Sequence, residues 1–195
     1  MLQEYLGLLS CSSLWEQLYE IDCEEAARVR AARCGREGCG SVLDRCDYPR
    51  SARGAPSGVR EDRLWRLSFC CRAARHRNTP TSVRFLGRKV YVFLVVLVVS
   101  ALRGGRERVA LKYIQRVCGV SEPTARRWLV WWQEKVTKSE FWRSERGHLS
   151  PVLDESYLAT SLLVRYRTLH PQPHEALRRV CIFLRLLSAP PHYPR

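Results

Sequence analysis

The sequence predicts a mainly α-helical protein that carries one small β insertion. Apolar residues recur at helical spacing in several segments, and one long apolar run indicates a buried helix. Between the first helices and that run, closely spaced cysteines and glycines interrupt the helical pattern. With 195 residues, of which 46% are hydrophobic, the chain is long enough for one compact domain or two small ones.

The N-terminal part, residues 1–33, is predicted to form two helices with an acidic character. The first covers residues 2–9, and the second begins at Ser12 or Ser13 and ends near Arg33. The first 25 residues contain six acidic residues and no Lys or Arg, whereas the whole chain has a formal net charge of +14. We expect this acidic part to pair with the basic remainder or to bind a partner protein, such as a transposase.

Residues 34–86 are predicted to form a zinc-ribbon-like region with a basic exposed arm at residues 47–60. The N-terminus shows no signal-peptide pattern, so we expect a cytoplasmic protein whose nine cysteines are reduced. A Cys3His ligand set suits structural zinc, and the predicted ligands are Cys34, Cys39, Cys71 and His76. Cys46 and Cys70 are reserve ligands. A regular second cysteine turn would have Cys at position 74, where this chain has Ala74, so a degenerate site without metal is the alternative.

Residues 87–150 are predicted to contain a core helix followed by a helix-turn-helix. The apolar run at 90–102 has 13 residues, whereas a membrane-spanning helix needs about 20. We therefore predict a buried helix, with a membrane anchor as the alternative. Basic residues flank the run on both sides.

The helix-turn-helix is predicted within residues 111–136. Leu111, Ile114 and Cys118 share one helical face, and Gly119 provides a residue that tolerates a left-handed turn. Ser121 is a preferred N-cap residue, and Pro123 suits a first helical turn. The side chains predicted to face the interior are Val120, Ala125, Trp128, Trp131 and Trp132.

The start of such a second helix is the part that enters the DNA major groove. Its predicted DNA-binding residues are Ser121, Glu122, Thr124, Arg126, Arg127 and Val130. Arg84, Arg88 and Lys89 precede this motif and are predicted to contact phosphates.

Residues 151–195 are predicted to form two further helices, near 155–166 and 174–187, and a loose tail. Only about 60 residues follow the helix-turn-helix, which is too few for a nuclease domain of ordinary size. No carboxylate trio, nucleophile–base pair or phosphate-binding glycine loop is recognisable. The sequence therefore predicts a protein without catalytic activity.

Four stretches carry a resemblance to a known family: DYPR (47–50), RLSFCC (66–71), TPTSVRFLGRKVY (79–91) and GVSEPTARRWLVWW (119–132). They resemble a family of uncharacterised bacterial proteins associated with mobile elements, which look like the zinc-ribbon plus helix-turn-helix front half of a transposase. The resemblance covers roughly residues 30–145 and implies DNA binding in a transposition setting. The chain departs from the ribbon pattern at Ala74.

The predicted fold is thus mainly α, with a helix-turn-helix and a small zinc-ribbon-like β insertion. The expected function is binding of double-stranded DNA, as a nucleoid-associated transposition accessory protein or a transcriptional regulator. Three alternatives remain open at this point: the DNA-binding part of a split transposase, a membrane-associated basic protein, and a protein–protein adaptor.

Overall fold

A nearly inaccessible helix lies at the centre of the structure, a computed structural model that describes residues 2–50, 55, 59–86, 92–104, 115–116 and 118–188. This helix is α3 (Phe93–Gly104), in which each side chain from Phe93 to Val99 is at most 1% exposed. The other α-helices within those ranges are α1 (Leu2–Leu9), α2 (Ser12–Ala31), α4 (Glu122–Trp131), α5 (Glu140–Glu145), α6 (Leu158–Leu169) and α7 (Pro173–Leu184).

Helix α3 packs against α1, α4, α6 and α7, which explains why the sequence is apolar on all its faces. The prediction of a buried core helix is therefore confirmed. Among the residues that the structure describes, no helix is long and apolar enough to cross a membrane.

The two predicted N-terminal helices are confirmed as α1 and α2. Helix α2 buries one stripe that includes Leu14, Leu18 and Ala26. Several of its acidic residues pair with basic residues of the same chain: Arg63 contacts Glu16 at 2.7 Å, and Arg28 contacts Glu25 at 2.8 Å. Part of the acidic charge is therefore neutralised internally.

The small β insertion is also confirmed, as two antiparallel sheets. Strand β1 (Leu43–Arg45) pairs with β4 (Phe69–Cys71), which pairs in turn with β5 (His76–Asn78). A second sheet joins β2 (Tyr48–Pro49) to β3 (Trp65–Arg66). The sequence predicts one strand near residues 64–69, but Glu61–Leu64 forms a 3-10 helix and two short strands follow it. We refer to residues 34–78 as the ribbon.

A buried ion pair joins the ribbon to the helices. Asp22 of α2 accepts a hydrogen bond from Arg84 Nε at 2.7 Å, and the two side chains are 2% and 1% exposed. Asp22 also accepts bonds from the Ser82 hydroxyl at 2.5 Å and the Val83 N–H at 2.8 Å. The remaining guanidinium nitrogens of Arg84 donate to the carbonyl oxygens of Arg63 and Trp65.

The position of Arg84 corrects its predicted role as a phosphate contact. Its guanidinium group is enclosed and its three nitrogens all have protein acceptors. A buried charge requires such partners because it has lost its hydration, so Arg84 has a structural role. Arg88 and Lys89, the other two predicted phosphate contacts, lie outside the described residues.

The C-terminal helices agree with the prediction. Helices α6 and α7 pack against each other and against the central core, and the chain then forms a 3-10 helix at Arg185–Ser188. At the start of α7, Arg178 and Arg179 hydrogen-bond to Glu175. The bond from Arg178 is the main reason why the pKa of Glu175 is lowered to about 2. The tail predicted to be loose lies outside the described residues.

Replacement of one member of the buried pair should destabilise the protein strongly. Asp22→Ala leaves the Arg84 charge buried without its counter-ion, and we expect the free energy of unfolding in urea to fall by about 3–5 kcal/mol. The matched control is Glu24→Ala, because Glu24 forms a largely exposed ion pair with Arg28 at 3.9 Å. That control should change stability by less than about 1 kcal/mol. Equal effects of the two substitutions would contradict the structural role of the buried pair.

Candidate metal centre and recognition helix

Three of the predicted metal ligands lie together in the ribbon and could hold a metal ion. The sulfur atoms of Cys34, Cys39 and Cys71 all lie within 4.8 Å of one another, and Cys39 Sγ is 3.5 Å from Cys71 Sγ. Cys34 and Cys71 are buried, and both belong to a small apolar cluster with residues such as Leu43 and Phe69. These thiols therefore form part of the ribbon core.

The first turn of the cluster brings Cys34 and Cys39 onto the same side. The Cys34 N–H donates to the Ser41 carbonyl at 3.0 Å, and the Cys39 N–H donates to the Arg36 carbonyl at 3.0 Å. Gly38 and Gly40 have φ values of +71° and +55°, a left-handed conformation that glycine adopts without steric cost. These two glycines therefore make the tight turn possible.

The second turn follows β4 and repeats part of the same arrangement. The Ala74 N–H donates to Cys71 Sγ at 3.3 Å, and Arg75 then adopts a left-handed conformation with φ +45°. In the first turn, Cys39 is likewise followed by a left-handed residue, Gly40. Ala74 therefore occupies the place in the second turn that Cys39 has in the first. Its methyl group cannot bind a metal ion, so the second turn contributes one thiol to the cluster.

His76 does not belong to the cluster, which corrects the predicted Cys3His ligand set. It begins β5 directly opposite Cys71, but its side chain is exposed. Among the described residues, the group with ligand atoms close enough to share one ion comprises the three cysteines alone. The reserve ligand Cys70 is excluded because successive residues of a strand point to opposite faces, so it is directed away from Cys71.

The thiols of the chain differ in acidity because their surroundings differ. Hydrogen bonds from Ser41, above all from its backbone N–H, lower the pKa of the Cys39 thiol to about 7. Burial raises the pKa of Cys118 to about 11 and that of Cys181 to about 12. A substantial fraction of Cys39, about half at pH 7, is therefore the thiolate, which is the metal-binding and nucleophilic species.

A thiol at position 74 should complete the metal centre. We expect Ala74→Cys to raise zinc affinity at least tenfold, since structural zinc prefers four protein ligands. His76→Ala is the matched control and should leave zinc affinity unchanged, whereas Cys71→Ser should abolish binding. Competition with a chromophoric chelator measures all three affinities. Loss of zinc from the His76 variant would restore the Cys3His assignment.

Cys39 should be the thiol that reacts fastest with iodoacetamide in metal-free protein. Because its pKa is lowered, its rate of alkylation should rise with pH around a midpoint near 7. Cys118 and Cys181 should remain unmodified in the folded protein. Peptide mass spectrometry of the alkylated protein identifies the sites, and added zinc should protect Cys39. Equal labelling of all nine cysteines in folded protein would contradict these differences in pKa and burial among the thiols.

The predicted turn and helix start around Gly119 are confirmed. Residues 115, 116 and 118 are helical, and Gly119 has φ +62° with its N–H bonded to the Gln115 carbonyl at 3.0 Å. Ser121 is the N-cap of α4, and Pro123 lies in the first turn. Leu111 and Ile114, which the sequence predicts on the preceding helix, lie outside the described residues.

Helix α4 is anchored by the face that the sequence predicts. Val120, Ala125, Trp128 and Trp132 are buried in the main core, and Trp131 packs against it. The helical path continues as a π-helical turn at Trp132–Val136. Core packing of the two adjacent tryptophans is therefore confirmed.

All six residues predicted to contact DNA lie on the accessible surface of α4 or at its N-cap. Ser121, Glu122, Arg126 and Arg127 are exposed, Thr124 is partly exposed, and Val130 is 47% exposed. Arg126 pairs with Glu122 at 3.0 Å, and Arg127 donates to the Thr124 hydroxyl at 3.0 Å. Both guanidinium groups are thus held on the outer surface by short-range contacts along the helix.

Comparisons of the chain with protein-family models, with curated proteins and with solved structures found no match. The geometry and chemistry of the cysteine cluster and of α4 are therefore the basis for inferring the function of the chain.

Proposed function

We propose that this protein binds double-stranded DNA without catalysis, with the outer face of α4 in the major groove. The observation that supports this proposal best is the division of α4 into a tryptophan-anchored inner face and an outer face with adjacent arginines. A recognition helix needs such rigid anchoring because base contacts depend on accurate placement of side chains. Arg126 and Arg127 carry the functional group that bonds bidentately to guanine.

The charge around α4 supports a nucleic-acid partner. Residues 111–138 contain six basic residues, Lys112, Arg116, Arg126, Arg127, Lys135 and Lys138, against the two acidic residues Glu122 and Glu134. The Glu122–Arg126 pair is exposed, and exposed pairs of this kind contribute only about 0.3–0.5 kcal/mol. Arg126 can therefore exchange Glu122 for a DNA acceptor at little cost.

The metal centre would hold a structural zinc ion. Cys34, Cys39 and Cys71 would supply three thiolates, and an ion bound to them would cross-link the two turns of the ribbon. The small size of the ribbon core supports this role, because few apolar residues surround the cysteines. In the cell, we place the protein at the nucleoid, as a transposition accessory protein or a transcriptional regulator.

Removal of the α4 arginines should reduce sequence discrimination. A preferred site is first selected with the wild-type protein from a pool of random duplexes. We then expect Arg126→Ala or Arg127→Ala to weaken binding to that site by about 1–3 kcal/mol and binding to random DNA only slightly, since base edges differ along a duplex. Fluorescence anisotropy at fixed salt concentration measures both affinities.

Arg28→Ala is the matched control because Arg28 is also an exposed helical arginine with glutamate partners at i−3 and i−4. It lies on the acidic helix α2 and should leave DNA affinity unchanged. Equal losses on selected and random duplexes would show that α4 acts only as an electrostatic clamp. Unchanged affinity in both α4 variants would contradict the proposed interface.

A further inference from the structure

Two arginines next to the cysteine cluster adopt a backbone conformation that favours glycine. Arg33 has φ +60° and Arg75 has φ +45°, and they are the two non-glycine residues with positive φ in the described part of the chain. Arg33 directly precedes Cys34, and Arg75 directly follows Ala74. Both strained residues therefore border the candidate metal centre, one at each turn.

The fold explains the conformation at both positions but not the choice of arginine. Arg33 directly follows the C-cap of α2, a position where helices commonly end with a left-handed residue. Arg75 occupies the position in the second turn that Gly40 has in the first, and both residues are left-handed. At Gly38, Gly40 and Gly119 the chain uses glycine for the same purpose. A side chain with a Cβ is less favourable there, so its presence at both cluster positions indicates a role for the side chain itself.

Both side chains are directed to the exterior. Arg33 and Arg75 are exposed, and neither guanidinium group forms a hydrogen bond or an ion pair with another described residue. Two neighbouring arginines of the ribbon have protein partners: Arg72 contacts Asp44 at 2.5 Å, and Arg77 donates to the Cys46 carbonyl at 3.2 Å. The two strained arginines are thus available to a ligand while these neighbours are held by the ribbon.

The surface near Arg33 is basic and concave. An open groove of about 560 Å³ lies between α2 and the ribbon. Its lining includes Arg30, Arg33 and Arg45, of which Arg45 pairs with Asp47 at 2.6 Å, together with apolar side chains. Arg36 reaches from the first turn to the Ala74 carbonyl of the second turn at 3.2 Å, which holds the two turns together. Arg30 and Arg33 therefore leave a positive charge at this groove, which suits an anionic ligand.

We propose that Arg33 and Arg75 form a second DNA contact, which binds the phosphate backbone and is organised by the metal centre. Guanidinium groups bind phosphate groups through two parallel hydrogen bonds. This geometry favours a phosphate group as the ligand over a surface whose negative charge is spread out. An ion held by Cys34, Cys39 and Cys71 would fix the backbone next to both arginines. The proposal rests on the proposed DNA-binding function and adds to it a sequence-independent contact on a different part of the molecule.

The test uses glycine substitutions, because glycine removes the guanidinium group and relieves the strained backbone at once. In the zinc-loaded protein, the double variant Arg33→Gly/Arg75→Gly should bind selected and random duplexes about tenfold more weakly. The slope of log affinity against log salt concentration should fall by about one for each phosphate that the variant no longer neutralises. Zinc affinity should stay within about twofold, and Tm should be unchanged or higher, by up to about 4 °C.

Two further variants separate the effect of the arginine charge from the effect of the metal centre. The double variant Arg33→Lys/Arg75→Lys retains the charge but not the bidentate geometry, so it should keep the salt dependence of the wild type and bind with an affinity between those of the wild type and the glycine variant. In Cys71→Ser, which removes a metal ligand, random-duplex affinity should fall to a similar extent as in the glycine variant. Unchanged duplex affinity in the glycine variant would overturn the proposal. A lowered Tm or a loss of zinc in that variant would also overturn it, because the arginines would then act on the fold or the metal.

The same measurements separate this proposal from the proposed role of α4. Arg126→Ala should affect the selected duplex, whereas the glycine variant should affect all duplexes equally. If only the glycine variant weakens binding, the ribbon contact stands and the α4 interface fails; the opposite result refutes the ribbon contact alone. Binding to anionic lipid vesicles that depends on Arg33 and Arg75, without any effect on duplexes, would overturn the DNA assignment.

Discussion

The buried Asp22–Arg84 ion pair is the interaction on which the rest of the structure depends. Its partners come from α2, from the segment before α3 and from two carbonyl groups within the ribbon, those of Arg63 and Trp65. The Ser188 hydroxyl accepts a bond from the Ser82 N–H at 2.6 Å, which connects the C-terminal 3-10 helix to the same network. A buried pair of this kind is often no more stable than an apolar substitute, but loss of either partner leaves an uncompensated buried charge, which disfavours arrangements that separate Asp22 from Arg84. It therefore specifies how the ribbon sits on the helices.

This constraint matters for the candidate metal centre because the ribbon has little apolar core of its own. Its buried cluster extends to Ala26 of α2, with Tyr19 and Val29 packed around it. The position of the ribbon against α2 is thus set by a small apolar contact on one side and the polar network on the other. Zinc would link the two turns of the ribbon to each other, whereas Asp22 and Arg84 determine the orientation of those turns relative to the helices.

Local chemistry made some features predictable from sequence. The apolar run before Gly104 indicated α3, and the sequence from Gly119 to Pro123 indicated the turn and start of α4, because both signals lie within a short stretch of sequence. The roles of Arg84 and His76 could not be predicted, since they depend on contacts between distant segments. Arg84 resembles any surface cation in the sequence, because its partner Asp22 lies 62 positions earlier. His76 has suitable spacing, but the course of the second turn places Ala74 near Cys71 instead.

Several basic residues of the chain are buried or paired, which reduces the number of surfaces where a polyanion can bind. The net charge of +14 suggests a broadly basic surface, yet Arg66 and Arg84 are buried and Arg63 pairs with Glu16. Arg66 is 2% exposed, and this burial lowers the pKa of its guanidinium group to about 10. Among the exposed arginines are those on α4, where local ion pairs are weak, and the two beside the cysteine cluster, where the backbone is strained. In the proposed complex, the α4 arginines would lie next to base edges and the other two beside the candidate metal centre, so the two surfaces would contact different parts of the same duplex.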